Sequence, residues 1–209
     1  MYSPSLLATL FLTAITTSTA AAAPTDNDFP SYSISVFAPG TTVHGAQLNA
    51  GDAGFYTGLT GPMTSCPMEP EECPPVEGTL VSPLMGGMKV VVPGGQSIFV
   101  QVDGQVKYSI PHSAYIPPGA LVGRFYTKKV QYQSSKCKAP RESDVLDFSD
   151  GAGHGGLTLC PDIPDEMAGT GASFVLYAKT AGFNLTDCSD IKGLTMTKSD
   201  ANFGCFQYS

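Results

Sequence analysis

Twenty-three glycines and seventeen prolines are spread through this chain of 209 residues, and no long helical pattern survives between them. Each proline removes a backbone donor and fixes φ, while each glycine raises the entropic cost of regular structure. What remains are short runs rich in Val, Ile, Phe and Tyr, residues that fit a pleated, half-buried surface. Tyr32–Phe37 alternates polar and apolar residues and stops at Pro39-Gly40, and Met88–Val92 stops at Pro93-Gly94-Gly95. Ser97–Val102 and Gln105–Ile110 flank Asp103-Gly104, which predicts a hairpin closed by a type I′ turn. Further strands are predicted at Leu121–Tyr126, Gly156–Cys160 and Ser173–Ala178, the last two separated by the turn-rich Pro161–Asp165. The polar stretch Ser134–Ser149 reads as a long surface loop, and Asp187–Lys192 as one helical turn. Strands at this spacing predict an all-β fold, a single disulfide-stabilised antiparallel β-sandwich or β-barrel domain. A weak threefold echo of strand, hairpin and aromatic strand makes a β-trefoil the alternative.

The segment Met1–Ala23 carries no charged side chain. Its apolar run Leu6–Ile15 is followed by the small residues Thr16–Ala23 and then Pro24, the outline of a secretory signal peptide. Only the α-amino group supplies a positive end. Pro24 and Thr25-Asp26-Asn27-Asp28 stop the run abruptly, which argues against a buried N-terminal helix. Cleavage between Ala20 and Ala23 would leave a mature domain, Pro24–Ser209, of roughly 186 residues, enough for one core. No later apolar stretch reaches the ~20 residues that span a bilayer. Phe203–Ser209 offers no hydrophobic tail of the kind a glycolipid anchor signal needs. The net charge is −7, with 11 Lys and Arg against 18 Asp and Glu. Without a basic stripe, nucleic acid is excluded as a partner.

Six cysteines, Cys66, Cys73, Cys137, Cys160, Cys188 and Cys205, lie beyond the signal, and in an exported chain the expectation is three disulfides. Six cysteines allow about fifteen connectivities. Cys66 and Cys73 enclose a short loop and suit a local staple, whereas Cys160, Cys188 and Cys205 suit long-range ties. With no C-x2-C pair and no histidine at ligand spacing, these cysteines are not expected to hold zinc.

The three histidines, His44, His112 and His154, lie in separate loop-like contexts. Joined with Asp103, Asp147 or Asp150 they would make a metal site or an acid–base pair, yet no two have the i,i+2 or i,i+4 spacing that shares a face. A mature end among alanines or at Pro24 excludes the copper enzymes that clamp their metal with an N-terminal histidine. There is no G-x-S-x-G elbow. Asp144, Asp147 and Asp150 are three apart in a stretch read as solvated, and Glu71-Glu72 sits inside the short cysteine loop. A glycosidase pair assembled only by the fold is therefore the weakest of three functional expectations. Gly151–Gly156 lacks the G-K-[ST] ending and following helix of a phosphate loop. No catalytic residue, cofactor or metal is expected. Asn184-Leu185-Thr186 is an N-x-[ST] sequon and marks Asn184 as an exposed glycosylation acceptor. Tyr115, Tyr126 and Tyr132 are the candidates for an exposed carbohydrate-binding face.

Phe37–Tyr56, the Ser97–Tyr108 strand pair, and the closing run from Gly156–Pro161 through Phe174–Tyr177 and Asp187-Cys188 to Cys205–Tyr208 resemble the fungal secreted cell-wall proteins related to PhiA. The resemblance spans most of the mature chain and rests on structural motifs. Ser109–Gly119 departs from the glycine-rich stretch that often follows the family's central strand, and Cys73 and Cys137 are additions. The resemblance implies a non-enzymatic protein in or on a fungal cell wall, with wall polysaccharide or other wall proteins as partners. A secreted glycan-binding or host-protein-binding module, lectin-like or effector-like, is the alternative.

Overall fold

A computed structural model of the chain describes residues 29–133 and 139–209, so Met1–Ala23 and Cys137 lie outside the described residues. In chain order the strands are β1 (Ser31–Phe37), β2 (Asn49–Gly51), β3 (Gly54–Thr57), β4 (Thr64–Ser65), β5 (Gly87–Met88), β6 (Gln96–Val100) and β7 (Val106–Tyr108). They continue as β8 (Phe125–Tyr132), β9 (Arg141–Phe148), β10 (Leu157–Cys160), β11 (Phe174–Ala178), β12 (Ser189–Asp190), β13 (Gly193–Ser199) and β14 (Gln207–Tyr208). A four-stranded sheet runs β1-β13-β9-β8. An eight-stranded sheet runs β12-β10-β11-β3-β7-β6-β5, with β2 added beside β3, and β14 pairs with β4. Every one of these strand pairings is antiparallel. The all-β sandwich expectation holds. The barrel and trefoil alternatives do not, because the sheets stay open and sort into four, eight and two strands rather than three equivalent units.

Side-chain alternation along each strand places the cores. Ile34 and Val36 of β1, Leu146 and Phe148 of β9 and Leu194 of β13 meet Phe55, Ile98, Val100, Leu157, Leu159, Leu176 and Ala178 of the larger sheet in one buried cluster. Residues of opposite parity on the larger sheet, Tyr56, Cys160, Val175 and Tyr177, point the other way. There they form a second, smaller core with Met167, flanked by Leu59, Ile163, Leu185 and Cys188. The central strands are thus buried on both faces, which explains why Gly54–Thr57 and Leu157–Cys160 contain no exposed residue.

Two glycines carry close approaches that no other residue permits. Gly104 has φ +94, and a Cβ there would collide with the Ala178 carbonyl. Its own carbonyl accepts from Ala178 N at 2.8 Å, joining the β6–β7 hairpin to β11. Gly204 gives way to the Tyr208 hydroxyl and the Gly78 carbonyl, with which a Cβ would collide. Through that gap the C-terminal strand locks onto the body of the protein. The Tyr208 hydroxyl donates to Gly78 O and accepts from Leu80 N, both at 2.8 Å. Gln96 donates to Ser109 O at 2.9 Å and Tyr208 O at 3.0 Å, and accepts from Tyr208 N at 2.9 Å. Tyr108 donates to Ser209 O at 3.0 Å.

Several local expectations are corrected. The β6–β7 hairpin forms, but Asp103 does not take a positive φ; Gln101 N bonds Gln105 O, leaving a three-residue loop with only Gly104 left-handed. That loop replaces the type I′ turn because Gly104 alone supplies the required φ. The described part of Ser134–Ser149 is largely strand β9, not loop. Its charged residues pair across to β8, Lys129 lying 2.9 Å from Glu142 and 3.3 Å from Asp144, so the hairpin needs no apolar alternation at that end. Leu121 makes only a bridge to Val100, and the strand predicted at Leu121–Tyr126 begins at Phe125, after the left-handed Gly123. Asp187–Lys192 is not a helical turn: Ser189 and Asp190 pair with β10, and Asp190 sits 2.7 Å from Lys179. Met88–Val92 is a strand only at its start, since Val91 and Val92 donate instead to the C-terminal segment at Phe206 O.

Removing the Tyr208 hydroxyl leaves the buried Leu80 N–H without its acceptor and takes a donor from the carbonyl of half-buried Gly78. Tyr208→Phe is expected to lower stability by about 1–3 kcal/mol in urea unfolding of the oxidised protein. Gly104→Ala should cost at least ~2 kcal/mol in the same measurement, from backbone strain and the clash together. Wild-type stability in either variant would show that the corresponding contact is unimportant.

Candidate functional site

The residues that spacing singled out are dispersed. Cys66 is bridged to Cys73 and Cys160 to Cys188. The expected third bridge is not made at Cys205. Its thiol is free, 1% exposed and enclosed by the main core, where no second cysteine among the described residues reaches it. Burial pushes that thiol up to about 12, so the thiolate required for exchange is suppressed. The His44 ring accepts from Ala38 N at 3.3 Å and lies edge-on to Phe37. His112 is an exposed loop residue with φ +59. Among the described residues no group of three or more His, Cys, Asp or Glu could hold a metal ion.

The aspartates go to separate tasks. Asp144 and Asp147 are an odd number of residues apart on β9 and so project from opposite faces. Asp147, opposite Tyr126 across the ladder, lies 2.5 Å from Lys128 Nζ and accepts from the Tyr126 hydroxyl at 3.4 Å. Asp150 closes the glycine-rich loop after β9. Its carboxylate accepts from Ala152 N at 2.7 Å and His154 N at 3.0 Å, and the His154 ring Nδ1 is 2.8 Å away. These bonds, the Ala152 amide foremost, hold Asp150 below the usual carboxylate range. Glu71 and Glu72 are exposed in a 3₁₀ turn within the short disulfide loop.

The three tyrosines do not form one platform. Tyr115 is 66% exposed in the loop after β7. Tyr126 and Tyr132 share one face of the edge strand β8, six positions or ~20 Å apart. The Tyr132 ring is committed edge-on to Phe37, with centroids 5.2 Å apart.

Sequence reasoning missed an open groove of about 430 Å³ at the β5 edge of the larger sheet. Two reversals build its walls. Ser82 N bonds Gly87 O across Leu84 and Met85, both with positive φ, and Gly95 N bonds Val92 O across the left-handed Gly94. Between them β5 and β6 pair Gly87 with Ser97 and Met88 with Gln96. Phe29, 61% exposed, stands at the rim, and among the described residues none that lines the groove is ionisable. Buried Lys89 positions it: Nζ donates to Phe29 O at 3.3 Å and lies 5.4 Å from the centre of the Phe203 ring. The signal was present as Gly86-Gly87 and Gly94-Gly95, but glycine pairs between apolar runs read first as turns. Chemically the groove offers backbone amides, serine hydroxyls and apolar surface, a lining suited to an uncharged ligand.

No protein-family profile matches the chain, and no solved structure matches it. The chain is similar to a protein of Arthroderma benhamiae described as an "Uncharacterized secreted protein", with 28% identity over 163 residues, covering 78% of this chain and 77% of that one. Two disulfides and a relative described as secreted are concordant facts.

A carboxylate whose folded pKa is depressed contributes stability above its unfolded value, lost as pH falls through the lower folded one. Asp150 is therefore expected to keep its loop closed below pH ~4. A carboxyl-carbon NMR titration should give Asp150 a midpoint under ~3.9, and a midpoint at or above that value would refute the assignment.

Proposed function

We propose that this is an exported, non-enzymatic protein of the fungal cell surface, associated with the wall through neutral polysaccharide seated in the groove beside Phe29. In this reading Met1–Ala23 is the signal removed on export and Pro24–Ser209 is the secreted domain. Support for export comes from the signal pattern, the two bridges and the secreted relative. Support for the wall comes from the resemblance of Phe37–Tyr56, Ser97–Tyr108 and the C-terminal segments to PhiA-related proteins.

The groove is the observation that carries the choice of ligand. In a chain of net charge −7, its lining among the described residues is uncharged. A neutral polysaccharide can lay an apolar sugar face on the exposed Phe29 ring and turn its hydroxyls to Ser82, Ser97 and the glycine backbone. The walls of β5 and β6 are hydrogen-bonded in register before any ligand arrives, so binding need not order them.

The test combines fractionation with pull-down on insoluble β-glucan and chitin. Wild-type protein should be retained in washed walls and on at least one polymer. Phe29→Ala, which empties the rim, and Ser97→Arg, which fills the groove, should each weaken retention about tenfold, or ~1.4 kcal/mol, with unchanged thermal melting. Protein found only in the medium, with no polymer retention, sinks the wall reading. The alternative, a secreted module that binds a glycan or host protein through its loops, is favoured by the exposure of Tyr115 and Ile110, 66% and 63%. Loss of retention on Tyr115→Ala, with Phe29→Ala neutral, would select it.

A further inference from the structure

We propose that Asn184 carries an N-linked glycan standing at the rim of a cleft beside the Cys160–Cys188 bridge, a proposal that rests on the export reading above. The segment between β11 and β12 alternates in its surroundings. Phe183 packs against Tyr177, with ring centroids 6.0 Å apart, and Leu185 packs against the outer core. Asn184 and Thr186, the two groups that a sequon requires, are both exposed. The chain is pinned on either side of the acceptor, by Thr180 Oγ1 donating to Val102 O at 2.7 Å and by the bridge at Cys188. An acceptor amide is therefore displayed on a fixed loop, with its hydroxyl partner on the same solvent side.

Next to it lies a cleft of about 250 Å³ lined by Pro161, Asp162, Leu185, Thr186, Asp187 and the two bridged cysteines. A glycan on Asn184 leaves the chain one residue before the first of the lining residues Leu185–Cys188 and so stands over the mouth of that cleft. The donor is an oligosaccharide carried on a polyprenyl diphosphate in the export pathway. The Asn184 Nδ2 attacks the anomeric carbon and a C–N bond forms. The C–O bond to the diphosphate breaks, the lipid diphosphate leaves with the electron pair, and the amide gives up one proton.

Full-length chain expressed in yeast and recovered from the medium tests the site by peptide mass spectrometry, before and after an amidase that removes N-glycans and converts Asn184→Asp. The expected result is a glycopeptide at Asn184 in wild type and none in Asn184→Gln or Thr186→Ala. Secreted protein with bare Asn184 overturns the proposal and leaves export standing, while protein retained in the cytosol with bare Asn184 overturns both. Placement at the cleft is read from the rate at which dithiothreitol opens the Cys160–Cys188 bridge in native protein. Removal of the glycan should speed opening several-fold, and equal rates would overturn that placement.

Discussion

The clasp between Gln96 and the C-terminal strand is the contact on which the rest of the fold hangs. One amide side chain answers three backbone groups, Ser109 O, Tyr208 O and Tyr208 N, while the Tyr208 hydroxyl answers Gly78 and Leu80. All but the bond to Ser109 O join segments more than a hundred residues apart, so they form only once the sheets are in place. All of these residues but the half-buried Gly78 are buried, and a buried polar group without its partner costs more than a made bond contributes. The network therefore specifies one arrangement of the tail. It also sets the groove: Gln96 belongs to the strand that forms one wall, and its side chain is held from behind by Tyr208.

Parity governs the other half of the molecule. A strand presents alternate residues to opposite faces, so a sheet covered on both sides must be apolar at both. β11 meets this with Leu176 and Ala178 toward the main core and Val175 and Tyr177 toward the outer one. The outer core is small and its cover irregular, running through Ile163, Met167 and Leu185. Such cover buries little surface for each residue it orders. The Cys160–Cys188 bridge lies in this outer core and ties β10 to the covering segment. By contrast, the buried thiol of Cys205 lies in the main core, where packing alone suffices.

The strands legible in the sequence were those whose side chains enter a core. Ser31–Phe37, Gln96–Val100, Leu157–Cys160 and Phe174–Ala178 each carry apolar residues at alternate or successive positions, and each was placed within a residue or two. The outer half of β9 was not legible because Glu142 and Asp144 obtain their stabilisation across the hairpin rather than from burial. Gly193–Ser199 was missed for a related reason: its outer half, from Thr195 on, contains no fully buried residue and is held by its register with β1. Of the candidate site, the exposure of Asn184 was readable from its motif. The groove was not, since four of its ten lining residues are glycines and the rest come from three separate segments, which leaves no local side-chain pattern to find.

The strain at the groove follows from the same economy of side chains. Leu84 and Met85 both adopt left-handed φ, 54° and 50°, at a cost of about 1–2 kcal/mol each for residues with a Cβ. Met85 is fully buried, and burial of a side chain of its size contributes about 1.5–3 kcal/mol, enough to offset its own strain. Leu84 is 45% exposed and recovers much less. The turn nevertheless holds, because Ser82 N bonds Gly87 O across it and Met85 anchors its floor. Burial of Met85 and the Ser82–Gly87 bond thus hold the turn in its left-handed form. The wall of the groove is therefore stiff for the same reason that the core beneath it is full.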